Sequence, residues 1–197
     1  MTSEQYTLFT DTIRAFSDMS RNSVDLLAEH STIIELGKQQ TFIRHNIANG
    51  LEYYLLDGLV RSYAFSESQT DVTLYFYGAR SILPPHTTRT AGGLSTLNYE
   101  SLEPTLLAAI PADTFSGFMR GNSEIYRFAH EVLERELKAK TQKEIGMAVL
   151  PAKERLLELR DLFPALENRI PHAHIASYLG ITQVSLSRLR KEIARSR

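Results

Sequence analysis

The chain has 197 residues, a formal net charge of −1 at pH 7 and 43% hydrophobic residues, enough for a core of ordinary size. Near-neutrality argues against wholesale coating of nucleic acid. The absence of cysteine excludes disulfides, thiolate zinc sites and iron–sulfur clusters. Met-Thr-Ser-Glu-Gln-Tyr at the amino end lacks the basic region and apolar run of a signal peptide. No segment approaches the ~18 apolar residues of a membrane span; the lack of cysteine fits the cytoplasmic protein that is expected.

Residues Thr7 to Glu29 carry helical spacing in Leu8, Ile13 and Phe16, and again in Val24, Leu26 and Leu27, with a polar break at Ser20 to Asn22. From Ser31 short strand-like runs follow: Thr32 to Leu36, Gln40 to Arg44, Glu52 to Leu56, Leu59 to Phe65 and Val72 to Tyr77. Asp57-Gly58 predicts a hairpin, since both residues tolerate positive φ, and Ser66 to Thr70 predicts a turn. Gly78 to Tyr99, with Pro84-Pro85, Gly92-Gly93 and many threonines, reads as loop. Strand character resumes at Thr105 to Ile110, and Pro111 closes it. Repeated strands at this pitch predict a sandwich or jelly roll.

A long helix is predicted from Ser123, as its cap, to Val149, roughly 40 Å at ~1.5 Å per residue. Its apolar residues Ile125, Phe128, Val132, Leu137, Ile145 and Val149 form a broken stripe. A small β domain cannot cover all of it, which favours pairing with a second copy. Leu150-Pro151 interrupts the helix and marks a hinge. A further helix, Ala152 to Leu162, has Leu156, Leu157 and Leu159 facing inward and ends at Phe163-Pro164.

In the last quarter, two short helical patterns meet at a glycine. Pro171 suits a first turn, Ile175 and Leu179 share one side, and Ala176 keeps that side narrow. Gly180 permits a tight stop, and Thr182 is a fitting N-cap for the next helix. There Leu186, Leu189 and Ile193 make an inward stripe, while Val184, Arg188, Lys191 and Arg195 project from the opposite side. Basic residues crowd this end at Arg188, Arg190, Lys191, Arg195 and Arg197, against the single acid Glu192. A buried stripe backed by a basic, small-residue face suits entry into a major groove. With Ala176 and Gly180 four apart, the pattern resembles the helix-turn-helix consensus.

Over nearly its whole length the chain resembles Crp/Fnr-type bacterial transcription regulators. The resemblance is carried by Tyr-Tyr-Leu-Leu-Asp-Gly-Leu-Val-Arg (Tyr53 to Arg61), by Val-Thr-Leu-Tyr-Phe-Tyr-Gly (Val72 to Gly78) and by the C-terminal motif. Pro151 to Phe163, continuing through Arg169-Ile-Pro, is similar to a short-chain subgroup typical of Bacteroidetes-like bacteria. The resemblance implies an α+β fold: a cyclic-nucleotide-binding-like β-roll, or jelly roll, at residues 1–122, a dimerisation helix and hinge at 123–150, and a helix-turn-helix domain at 151–197. It implies a homodimeric, sequence-specific regulator, not an enzyme, whose partners are double-stranded DNA and a second copy held through the 123–149 helix. Carried over by position, base reading falls on Gln183, Val184 and Arg188, and phosphate contact on the hydroxyls of Thr182 and Ser185. Arginine can grip guanine O6 and N7, glutamine an adenine edge, and valine a thymine methyl. Where Val184 stands, better-known members have an acid, so base preference should differ. Lys191 and Arg195 suit phosphates.

The chain departs from the family in two respects. The sequence stops at Arg197, where many relatives continue into a β-hairpin wing, so a chain without the wing, and without some of its DNA-backbone contacts, is expected. Its Ser81 to Ser101 region also lacks the Gly-Glu pair of the cyclic-nucleotide cassette. The cassette arginine aligns near Ser95, and Arg89 is the region's only arginine, expected to be solvated. The effector is therefore expected to be absent, or to be something other than cyclic AMP, more apolar or uncharged. Its candidate pocket is Arg89, Ser95, Tyr63 and Tyr75, the two tyrosines being among the aromatics (with Tyr53, Tyr54, Phe76 and Tyr77) that alternation places in the sheet core or roll interior. No cofactor is implied.

Other chemistry is sparse. His172 and His174, two apart, face different sides of a helix, and His30, His45, His86 and His130 are scattered. Glu131, Glu134 and Glu136 interleave with Arg135, Lys138 and Lys140 as a solvated surface does. No phosphate loop, nucleophile elbow or zinc-protease motif occurs, and the clustered strand histidines of a cupin-like enzyme are missing. The other reading is a ligand-binding sensor that docks a protein partner and has lost DNA binding.

Overall fold

The computed structural model describes residues 1–195; Arg197, grouped above with the basic end, lies outside the described residues. Helix α1 (Ser3–Arg14) begins with a capping box, in which the Thr2 hydroxyl accepts from Gln5 N at 3.2 Å and the Gln5 side chain accepts from Thr2 N at 2.8 Å. Helix α2 (Arg21–Glu29) is capped by Ser20. The strands are β1 (Thr32–Leu36), β2 (Gln40–Ile43), β3 (Leu51–Asp57), β4 (Leu59–Phe65), β5 (Asp71–Gly78), β6 (Ser81–Leu83), β7 (Asn98–Ser101) and β8 (Thr105–Pro111). Among the described residues they make two four-stranded sheets, ordered β1-β8-β3-β6 and β2-β7-β4-β5.

The two sheets correct one prediction. Asp57-Gly58 joins β3 to β4, but those strands lie in different sheets, so the turn is a corner of the roll and not a hairpin. Its chemistry is as expected, with Gly58 at φ +101°. A Cβ there would lie 2.5 Å from Thr105 Oγ1 and 2.8 Å from the Pro104 carbonyl, so only glycine lets the two corner loops touch. Sequence identifies the tight turn, but not which sheet the outgoing strand joins. The loop predicted for Gly78 to Tyr99 contains β6, a 3₁₀ turn at Pro85–Thr88 and an Arg89–Ser95 bridge. A strand as short as β6 leaves no alternation to detect.

Pro111 does more than end a strand: it stands at the N-cap of α3 (Ala112–Gly121), a helix the sequence reading missed. Helix α4 runs Ser123–Val149 as predicted, but its cap is Asn122, whose side-chain oxygen accepts from Glu124 N at 2.9 Å and Ile125 N at 3.2 Å. Its apolar residues do not form one stripe. Ile125, Phe128 and Val132 are buried, whereas Leu137, Ile145 and Val149 are exposed.

By its contacts the chain divides into two units. The first comprises Met1–Ser62 and Phe76–Lys138. Its core joins Phe9 and Ile13 of α1, Val24 and Leu27 of α2, Tyr54, Leu56, Ala108 and Ile110 of the first sheet, and the buried face of α4. Tyr54 pairs in register with Ala108, and its ring lies edge-on to Phe9 and stacked on Phe128. The second unit holds the hairpin tip Tyr63–Tyr75 and residues 139 onward: the end of α4, α5 (Ala152–Leu162), α6 (Leu166–Arg169), α7 (His172–Tyr178) and α8 (Gln183–Arg195). In α5, Leu156 and Leu159 are buried as predicted, but Leu157 is exposed. Among the described residues no helix is long and apolar enough to cross a membrane.

Candidate nucleic-acid interface

Pro171 stands at the N-cap of α7, which buries Ile175 and Ala176. The helix ends in a Schellman turn: Ile181 N donates to the Ala176 carbonyl at 3.0 Å and Gly180 N to the Ser177 carbonyl at 3.1 Å. Gly180 adopts φ +66°, the left-handed conformation this turn needs. Two residues on, the Thr182 hydroxyl accepts from Ser185 N at 3.1 Å and caps α8. The sharp reversal from α7 to α8 therefore rests on local sequence, and it fixes which face of α8 is turned outward.

That face matches the prediction. Leu186 and Ile193 are buried and Leu189 is half-buried, while Gln183, Val184, Arg188, Lys191 and Arg195 are exposed, Val184 by 62%. Among the described residues, no acid pairs with Arg188, Lys191 or Arg195. Thr182 and Ser185 also share a hydroxyl contact at 3.0 Å, which keeps both oxygens at the helix start. Arg190 is a different case. Its Nε lies 2.8 Å from Glu167 Oε1, whose other oxygen binds Arg160 Nε at 2.6 Å, and its guanidinium lies 3.1 Å from the His172 ring. Two arginines thus hold one half-buried carboxylate, and Arg190 serves the fold of the domain. Glu192, the lone acid of the basic end, is bound by Lys153 at 2.7 Å.

Two features that the sequence reading missed brace this motif. The Arg155 guanidinium donates to the carbonyls of Leu150 at 2.9 Å and Leu179 at 3.0 Å, so one side chain satisfies the C-terminal ends of both α4 and α7. The β4–β5 hairpin tip meets α7 directly: Thr73 N donates to Ser177 Oγ at 2.8 Å, and His174 Nδ1 lies 3.9 Å from Asp71. Lys143 lies 3.8 Å from the centre of the Tyr178 ring and donates to the Leu74 carbonyl. Burial pushes its pKa down to about 8 and raises that of the Tyr178 hydroxyl. An aromatic placed next to a lysine only by the fold leaves no mark on local spacing.

Arg89 and Ser95 are bridge partners in the first unit; Tyr63 and Tyr75 belong to the second. Arg89 is not solvated: its side chain is 15% exposed and binds Glu52 at 2.8 Å and the Leu51 carbonyl at 3.1 Å. The Ser95 hydroxyl is buried and donates to the Leu97 carbonyl at 2.7 Å. Tyr63 is buried edge-on to Phe65, and Tyr75 lines a cavity with Lys143 and Tyr178. A further polar pair, Arg61 with Glu100 at 2.7 Å, is almost fully buried between β4 and β7. Its sequence signal was an arginine following the apolar pair Leu59-Val60 in β4.

A β-roll, a long helix and a C-terminal helix-turn-helix, in that order, define the fold of Crp/Fnr-type transcription regulators. Solved structures agree. The chain is similar to the c-di-GMP-responsive global regulator CLP of Xanthomonas campestris, at TM-score 0.72 and 16% identity over 90% of this chain and 93% of that one. It is similar to FixK2 of Bradyrhizobium japonicum, at 0.73 and 18% over 84% and 85%, and to CooA of Carboxydothermus hydrogenoformans, at 0.68 and 18% over 91% and 82%. No family model and no curated protein sequence matches the chain. At these identities the likeness is one of fold.

Proposed function

We propose that this chain is a sequence-specific, DNA-binding transcription regulator of the Crp/Fnr type that acts as a cytoplasmic homodimer. The observation that carries the reading is the outward face of α8. It has a small apolar residue and three cations with no acidic partner among the described residues, on a helix whose other side is buried and whose entry is fixed by the Schellman turn and the Thr182 cap. In this reading Gln183, Val184 and Arg188 meet base edges, and Thr182, Ser185, Lys191 and Arg195 meet phosphates. The fold shared with CLP, FixK2 and CooA supports it.

The exposed residues of α4 support dimerisation. Tyr126 and Leu137 are 61% and 64% exposed and Leu133 is 42% exposed. At ~100° per residue these three lie within about 40° of one another, a narrow apolar strip of the kind two parallel helices bury together. Two α8 helices so held would read half-sites about one duplex turn apart. Independence from cyclic AMP is supported by the missing Gly-Glu pair and by the commitment of Arg89 to Glu52.

The test is selection from a random duplex pool by the purified protein, with Arg188→Ala in parallel. Enrichment of a palindrome with half-sites about ten base pairs apart is expected, with loss of about 1–3 kcal/mol and of preference at one position in the variant. Lys191→Ala should weaken all sequences alike and lower the salt dependence by about one counterion. Equal binding and preference in Arg188→Ala would overturn the assignment of that residue.

A further inference from the structure

Within the first unit the outer face of β3 and β6 meets α3 and the first half of α4 around a cavity of about 340 Å³. This lies within the size range of small-molecule sites. Phe115 and Met119 of α3 and Phe128 of α4 give it an apolar lining, and Glu52 and His86 make one end polar. Tyr54 forms part of the wall. We propose that this cavity binds a neutral, largely apolar small molecule with a single hydroxyl or carbonyl group, about the size of a bicyclic aromatic.

Two observations set that chemistry. The Tyr54 hydroxyl is buried and has no hydrogen-bond partner among the described residues. Leaving such a group unsatisfied costs about 1–3 kcal/mol, and a phenylalanine would avoid the cost. The ring is packed between Phe9, edge-on at 4.9 Å, and Phe128, stacked at 6.4 Å. A ligand hydroxyl or carbonyl supplies the missing bond. The second observation is the charge at the polar end. Glu52 is held by Arg89 at 2.8 Å and lies 3.3 Å from His86 Nδ1, so the nearest arginine is already committed. An anionic headgroup would meet the Glu52 carboxylate with no free arginine to offset it. The site therefore favours a neutral ligand.

The cavity also touches the strip assigned above to the dimer, since Tyr126 and Leu133 are among its lining residues. Occupancy thus bears on how α4 presents that strip. This link rests on the dimeric reading; the binding site itself does not.

The probe is 2-naphthol, titrated into the full chain by calorimetry without DNA, beside 2-methylnaphthalene and 2-naphthoate. Saturable binding at one site per chain is expected, tightest for 2-naphthol. Tyr54→Phe removes only the unpartnered oxygen and leaves the fold intact. It should weaken 2-naphthol roughly two- to tenfold, the worth of one hydrogen bond, and leave 2-methylnaphthalene unchanged. Ala129→Trp, which fills the cavity, should abolish both. Binding of none of the probes, tighter binding of 2-naphthoate, or unchanged selectivity in Tyr54→Phe would overturn the proposal. So would loss of 2-naphthol binding as the protein dimerises, which would show that a second copy fills the cavity. A chain that binds 2-naphthol as described but selects no DNA would uphold this site and overturn the regulator reading; the converse separates the two in the other direction.

Discussion

Replacing Gly180 with alanine tests the turn on which the orientation of α8 depends. Gly180 sits at φ +66°, where an L residue with a Cβ pays about 1–2 kcal/mol. The added Cβ would also lie 2.7 Å from Met147 Cε. That second effect is small, because the contact is with the far end of a flexible side chain that is itself 39% exposed, and a shift of about 1 Å relieves it. Backbone strain should therefore dominate. Because the chain has two units, a global unfolding curve is a poor readout, and hydrogen exchange of peptides spanning His172 to Arg195 is the better assay. A cost of 1–2 kcal/mol corresponds to roughly a five- to thirtyfold loss of protection in α7 and α8, with little change in α1 and α2. Gly180→Asn should lose less, since asparagine tolerates the left-handed region. Met147→Ala in the Gly180→Ala background should recover little. Full recovery there, or unchanged exchange in the single variant, would refute strain as the cause.

Two other predictions concern α4. Lys143, with a pKa near 8 when folded against 10.5 for the free side chain, binds its proton less well in the folded state, so stability should rise with pH between those values. Lys143→Met should flatten that rise and stabilise the protein below pH 8, by at most about 3 kcal/mol given the cation–π and carbonyl contacts it gives up. Hydrogen exchange of peptides in α7 and α8 between pH 7.5 and 9.5, corrected for the intrinsic pH dependence of exchange, checks this; an unchanged slope would show that the ammonium is not desolvated. Leu137→Glu replaces a side chain 64% exposed, so the monomer fold should hold within about 0.5 kcal/mol. Sedimentation equilibrium should show the dimer weakened by tenfold or more, and a variant that remains fully dimeric would exclude α4 as the interface.

The parts of this protein that local sequence controls were legible. The break at Leu150-Pro151, the stop at Gly180 and the cap at Thr182 each depend on one or two residues whose backbone preferences act over a single turn, and each is found where expected. The face of α8 followed from periodicity, because the same stripe that buries Leu186 and Ile193 leaves Val184 and Arg188 outward. What failed was whatever depends on distant segments. Asp57-Gly58 was read as a hairpin because turn chemistry is the same whether the chain returns to its own sheet or crosses to another. Helix α3 was missed because Pro111 reads equally well as the end of a strand and the start of a helix.

Charge was the least legible property, and for one reason. Arg89 in its loop, Arg190 on its basic helix and Arg61 in its strand all look alike in sequence, as cations at positions that solvent could reach. The fold gives them different tasks by bringing up an acid from elsewhere: Glu52 from β3, Glu167 from α6 and Glu100 from β7. Each of these carboxylates lies 23 to 39 residues from its arginine, so no short window reveals the pairing. Arg188, Lys191 and Arg195 are informative because, among the described residues, the same folding process brings them no acid. On a chain that pairs several of its other arginines with acids, these three cations on one helical face are the ones that the proposed reading assigns to a DNA duplex, whose phosphates would carry the negative charge.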